Sequence, residues 1–176
     1  MQLRSLKVGL RLGVFEIGGE WAPDDAEVRA AWEMYVELVT RISVAELKPG
    51  EGLLREALTS LYSLFGTTRD ILRRYGPAIA KGKHGGTLSF GYIAIAVLNG
   101  ALRPLLARWH PLLGTYEAQR SPSTPVVAHE AAWERSVELR DELNRVRLVL
   151  LDYATLLAEA VGAPSLLLAV NDTSRS

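Results

Sequence analysis

Cysteine is absent from the 176-residue chain, which excludes disulfides, thiolate zinc sites, iron–sulfur clusters and cysteine nucleophiles together. Histidine is nearly as scarce: His84, His110 and His129 are all there are. None stands three residues after a glutamate, so the Glu-x-x-His pair of di-iron bundles is missing, and so is the His-Glu-x-x-His zinc helix. Neither a Gly-x-Ser-x-Gly elbow nor a Walker-type phosphate loop occurs. No metal and no cofactor is expected. Net charge is lacking too, because 20 basic residues balance 20 acidic ones, so any electrostatic argument has to be local. Long apolar runs are also missing. The nearest, Phe90 to Leu102, falls short of the ~20 residues of a spanning helix, and the first residues have no signal-peptide pattern. A cytoplasmic protein without a membrane contact is the expectation.

What remains is the composition of a globular protein, 48% apolar and 23% charged. Its abundance of Ala, Leu and Arg has a bacterial cast. Apolar residues alternate first with a period of two: Leu6, Val8, Leu10, Leu12 and Val14, with Lys7, Gly9, Arg11 and Gly13 between them. That is a strand, shifting near Gly13 as at a bulge or strand end and broken by Gly18-Gly19. A lone strand leaves its backbone unsatisfied. Its expected partner is the apolar run Leu166 to Val170 or else another chain.

The period then changes to that of helices. Helix one is expected from Asp24, with Glu27 completing a capping box, along Val28, Trp32, Tyr35, Val39 and Ile42. Lys48-Pro49-Gly50 ends it. Helix two follows Leu54, Leu58, Leu61, Phe65, Thr68, Leu72 and Tyr75 and stops at the glycine-rich segment from Lys81. Helix three runs from Thr87 or Ser89 towards Leu113 and is expected to kink at Asn99-Gly100 and Pro104. After the linker Ser121 to Pro125, helix four extends from Val126 to Val161 along Leu139, Leu143, Val146, Leu150, Tyr153, Leu157 and Ala160. Four-three spacing is the geometry of bundle packing. The fold class is therefore mainly α: one four-helix-bundle domain over residues 1–176. Residues 1–20 hold the N-terminal strand, 24–161 the helices and 162–176 a C-terminal segment and tail, in which a second strand is expected.

Three features bear on function. Lys81, Lys83, His84, Gly85, Gly86 and Thr87 precede a helix start, where backbone donors and lysines suit a phosphate or nucleotide; the plain alternative is a soluble loop. Arg103 and His110 enclose six residues, and this spacing resembles the Arg-x(4–6)-His motif of the HEPN family of helical bundles. The resemblance implies a ribonuclease with Arg103 and His110 as catalytic residues at a dimer interface. Pro104 stands where that family usually carries a polar residue. Trp21, Trp32, Trp109 and Trp133 are dispersed, without the basic neighbours of a base-stacking surface.

The third feature is charge. Glu16, Glu20, Asp24, Asp25, Glu27, Glu33 and Glu37 crowd one stretch against Arg29 alone. Arg69, Arg73, Arg74, Lys81, Lys83, Arg103 and Arg108 crowd another against Asp70 alone. Such blocks either neutralise one another within the fold or dock an oppositely charged partner. The leading expectation is a non-catalytic interaction or assembly module whose surface includes Arg69, Arg73, Arg74, Glu33 and Glu37. Its partner is a second copy or another protein, as in a subunit of a bacterial multicomponent system such as defence. Net charge gives no support to nucleic acid, and a membrane is not expected.

Overall fold

The computed structural model describes residues 5–41, 46–48, 50–82, 86–163 and 166–167. The alternating N-terminal segment forms strand β1 (Leu6–Leu12), with Leu6, Val8, Leu10 and Leu12 buried and the residues between them exposed. Its partner is its own continuation. Strand β2 (Phe15–Trp21) folds back antiparallel, in a register running from Leu12 against Phe15 to Leu6 against Trp21. The expected pairing with Leu166–Val170 is not seen among the described residues: Leu166 and Leu167 are helical, and the rest of that run lies outside them. The shift near Gly13 is a two-residue turn, not a bulge. Gly13 carries φ +72°, a left-handed conformation that suits glycine at the first position of such a turn. Gly18-Gly19 lies inside β2 and does not end the element. At Gly19, with φ +155°, an added Cβ would stand 3.4 Å from the Leu88 side chain.

Helix α1 (Asp25–Val39) begins as read, with Asp24 accepting from the Ala26 and Glu27 N–H groups at 3.0 Å and Glu27 returning a bond to the Asp24 N–H. Of its expected stripe Tyr35 is buried, Val28 and Val39 are half-buried, Trp32 stays 45% exposed and Ile42 lies outside the described residues; Ala30, Ala31, Met34 and Leu38 complete the inward face. α1 packs chiefly on the last helix, where Ala154 and Ala158 are buried in turn, and small residues on both sides allow close approach. Helix α2 (Leu54–Tyr75) buries Leu54, Leu58, Leu61 and Thr68 as expected, together with Ala57, Leu64 and Ile71.

The third helical track is continuous from Phe90 to Glu117: α3 (Phe90–Val97), a π turn (Leu98–Leu102) and α4 (Arg103–Glu117). The wider turn accommodates Pro104, whose ring and missing N–H conflict with an unbroken i→i+4 ladder. Gly100 belongs there because a Cβ would come within 2.9 Å of Leu12, so hairpin and π turn are in contact. Among the described residues this is the one track long and apolar enough to cross a membrane, and half of its apolar window is buried in protein.

The expected fourth helix is two: α5 (Val126–Ala131) and α6 (Ser136–Val161), separated where Trp133 turns inward against Trp109 and Tyr116. α6 buries Leu139, Leu143, Val146, Leu150, Tyr153 and Leu157 as expected. Counting Phe90–Glu117 as one helix, the described residues contain five helices and a hairpin, around one apolar core.

Two buried carboxylates join these parts. Glu27, 1% exposed, accepts from the Trp21 indole at 3.1 Å and from the Phe90 N–H at 2.9 Å, tying β2, α1 and the start of α3 together. Glu130 of α5 accepts from the Leu54 N–H at 2.9 Å and so caps α2 from across the fold.

Candidate functional site

Helix α2 has two flanks, and their chemistry differs. On the flank facing α1, residues from both charge blocks meet. Glu33 accepts from the Arg74 guanidinium and, at 2.7 Å, from the Tyr75 hydroxyl. That carboxylate hydrogen bond raises the Tyr75 phenol above its ordinary pKa. Arg41 reaches Glu37 at 2.6 Å and bonds the Ser60 carbonyl and Thr67 hydroxyl at 3.1 Å each. Glu33, Glu37, Asp70 and Arg74 line an open cleft of about 380 Å³ with Trp32. Here Glu33 and Arg74, one from each block, neutralise one another, and Glu37 is matched by Arg41 from outside both.

The flank facing α3 and α4 is built from residues at helical spacing. Arg55, Tyr62, Phe65 and Arg69 follow one edge of α2; Asn99, Arg103, His110 and Glu117 follow the antiparallel edge of the other track. At one end Arg55 grips Glu117 with two nitrogens, Nε at 3.0 Å and Nη2 at 2.7 Å. Its Nη1 meets the His110 Nδ1 at 2.8 Å. Because arginine only donates, Nδ1 accepts and the ring proton sits on Nε2, which is buried without a partner among the described residues. Burial, and then the Arg55 charge, push the His110 pKa below its ordinary value, with Glu117 pulling the other way. Tyr62 stands edge-on to the His110 ring at 5.7 Å and is itself 62% exposed. Phe65 lies 6.3 Å further along, under the guanidinium of Arg103 at 5.2 Å. Arg103 also donates to Asn99 at 2.9 Å.

Arg103 and His110 therefore share a seam without meeting. Seven residues along a helix separate them by about 10 Å of rise. Each is occupied by a different neighbour, and the described residues record no contact between them. The seam continues into α3, where Tyr92 and Ile95 are exposed on the helical spacing that leads to Asn99 and Arg103. Arg69 is exposed and no carboxylate pairs with it among the described residues; Arg73 reaches Asp70 only at 4.0 Å with both side chains in solvent.

The residues just after the glycine-rich segment are bonded within the protein. Leu88 donates its N–H to the Glu20 carbonyl at 2.7 Å. Ser89 caps α3 by accepting from the Tyr92 N–H at 3.3 Å, and the Phe90 N–H is held by Glu27. Lys81, Gly82 and Gly86 are exposed; Lys83, His84 and Gly85 lie outside the described residues; the Thr87 hydroxyl is buried without a partner among them.

The remaining aromatic and charged groups pack on one another. Trp109 and Trp133, remote in sequence, meet edge-to-face at 5.9 Å, and Tyr116 stacks on both Trp133 and His129. Arg108 and Arg135 lie over the Trp109 ring, and Arg108 is matched by Glu138 and Glu142 at 2.5 and 2.7 Å. Arg108, like Arg74, has its counter-charge inside the fold. Arg55, Tyr62 and Glu117 escaped the sequence reading; the seven-residue steps from Arg55 to Tyr62 and from His110 to Glu117 were the available signal. Comparison with protein-family models, with curated proteins and with solved structures finds no match to this chain.

Proposed function

We propose that this chain is a non-catalytic interaction module: a four-helix bundle of α1, α2, a kinked third helix and α6 that docks an acidic protein surface on the α3–α4 flank of α2. One observation carries the reading. Among the described residues no carboxylate pairs with Arg69 or Arg103, and Tyr62, Tyr92 and Ile95 are exposed at helical spacing along the same two edges, while Arg55, Arg74 and Arg108 are matched within the fold. Tyrosine, arginine and an aliphatic side chain on one surface is the composition of interaction hot spots. Exposed guanidiniums chiefly set the rate and orientation of encounter. The zero net charge favours a protein over nucleic acid, which draws its affinity from many phosphate contacts.

The probes are an acidic amphipathic helical peptide and a single-stranded RNA of equal charge, each titrated by fluorescence anisotropy at low and high salt. The peptide is expected to bind in a salt-sensitive way, and Arg69→Glu with Arg103→Glu to weaken it about tenfold or more, with melting temperature unchanged. Binding of the RNA alone overturns the protein partner. Cleavage of the RNA that disappears in His110→Ala overturns the non-catalytic reading and restores the one drawn from Arg103 and His110.

A further inference from the structure

The hairpin presents a second surface, and its geometry follows from the register. The two-residue turn Gly13-Val14 makes Leu12 and Phe15 a hydrogen-bonded pair, so every second pair after it is hydrogen-bonded too: Leu10 with Ile17, Val8 with Gly19, Leu6 with Trp21. The N–H and C=O groups of Lys7, Gly9 and Arg11 must therefore point away from β2. The other strand confirms the parity, since Glu20, on the outward-pointing set of β2, accepts from Leu88. That bridge closes one end of the outer edge of β2. Nothing comparable occupies β1: among the described residues no backbone hydrogen bond reaches Lys7, Gly9 or Arg11 from outside the hairpin. All three are exposed, and a Cβ built on Gly9 meets nothing within 4 Å.

We infer that the outer edge of β1 accepts an extended strand from a partner protein, one with acidic residues four apart around a small residue. Charge selects this occupant. Lys7 and Arg11 flank Gly9 on the solvent face, and β2 already answers them with Glu20 and Glu16 around Gly18. A strand added on the other side repeats that pattern, placing a carboxylate beside each cation and a small side chain beside Gly9. A second copy does not fit. Pairing β1 with β1 about Gly9 sets Lys7 against the partner's Arg11, like charge against like, and cationic edge residues guard sheets against self-pairing in this way.

The test uses the full chain and a capped peptide, Thr-Glu-Val-Ser-Val-Glu-Thr, with a control in which lysine replaces both glutamates. In the free protein, backbone amide exchange is expected to be slow at Val8, Leu10 and Leu12 and fast at Lys7, Gly9 and Arg11. Adding the acidic peptide should protect the amides of Lys7, Gly9 and Arg11, and the lysine peptide should not. Gly9→Pro removes an outward donor without touching the β1–β2 ladder, and proline is tolerated at such an edge. It should weaken the acidic peptide about tenfold, the worth of one hydrogen bond. Gly18→Pro, the equivalent change on β2, should leave binding intact. Slow exchange at Gly9 in the free protein overturns the inference, because the edge is then already filled. So do failure of the acidic peptide to bind, equal binding of both peptides, and protection that appears at Gly18 in place of Gly9. The amide readout is made on the wild type, so it stands even where a proline variant fails to fold.

Discussion

The two flanks of α2 carry much the same residue types to different ends. Towards α1, Arg74 and Arg41 are matched by Glu33 and Glu37, and hydroxyls fill the remaining positions. Towards α3 and α4, pairing holds only at the Arg55 end; beyond Tyr62 the guanidiniums of Arg103 and Arg69 face aromatic rings, an asparagine and solvent. Charge blocks separated along a sequence are thus cancelled where helices bring them together and survive where they do not. Arg74 is five residues from Arg69 and turned to the other side of the same helix. Surface is decided by helical phase, and block counting cannot see it.

The comparison breaks most readily at the paired sites. Arg55→Ala removes the two-pronged bond to Glu117 and the donor to His110 Nδ1, and is expected to lower stability by roughly 2 kcal/mol. That corresponds to a fall in melting temperature of about 4–8 °C in a chain of this size. Glu33→Ala, on the other flank, loses the Tyr75 bond and that to the more exposed Arg74 and should cost about half as much, near 1 kcal/mol. Equal losses, read by thermal denaturation of the two variants together, indicate that the flanks are equivalent and the contrast is wrong. Arg69→Glu with Arg103→Glu should stay within about 0.5 kcal/mol of the parent, as substitutions away from packed or paired groups do. A drop comparable with that of Arg55→Ala places these two in the structural framework and removes them from the docking surface.

How much of this was legible beforehand depended on what each element relies on. The start of α1 rests on local chemistry, Asp24 and Glu27 bonding back to the chain, and could be read directly. So could the stripe of α6, where large aliphatic residues mark the buried face. The stripe of α1 was legible at Tyr35 and missed at Ala30 and Ala31, whose smallness lets α6 approach, while Trp32 only resembles a core residue. β2 was lost because Gly18-Gly19 looks like a break. Gly19 instead leaves room for Leu88 beside the strand, a need that leaves no mark in one sequence. The seam was half legible. Arg103 and His110 were singled out, but Arg55, 55 positions before its histidine, joins them only after α2 has packed antiparallel to α4.

The smallest expected effect concerns His110, where the paired end of the seam titrates. Its ring is faced by Arg55 and Tyr62 from α2 and by Glu117 from its own helix. Burial first, and the Arg55 charge second, disfavour the protonated ring, so its folded pKa lies below the value of about 6.5 that the unfolded chain retains. Between those two values the unfolded state binds more protons than the native one, and stability must rise with pH there. The contribution is complete above the unfolded value and is lost as pH falls through the folded one. His110→Asn keeps an acceptor for Arg55 without a titrating ring, so the stability difference between parent and variant should change in that window and be flat above it. Arg55→Ala removes only the second cause and should shrink the window without closing it. Denaturant unfolding of all three proteins from about pH 8 to about pH 5 decides the matter. A difference between parent and His110→Asn that is constant across the range shows that neither burial nor Arg55 presses on the histidine, and the paired end of the seam then carries no proton linkage.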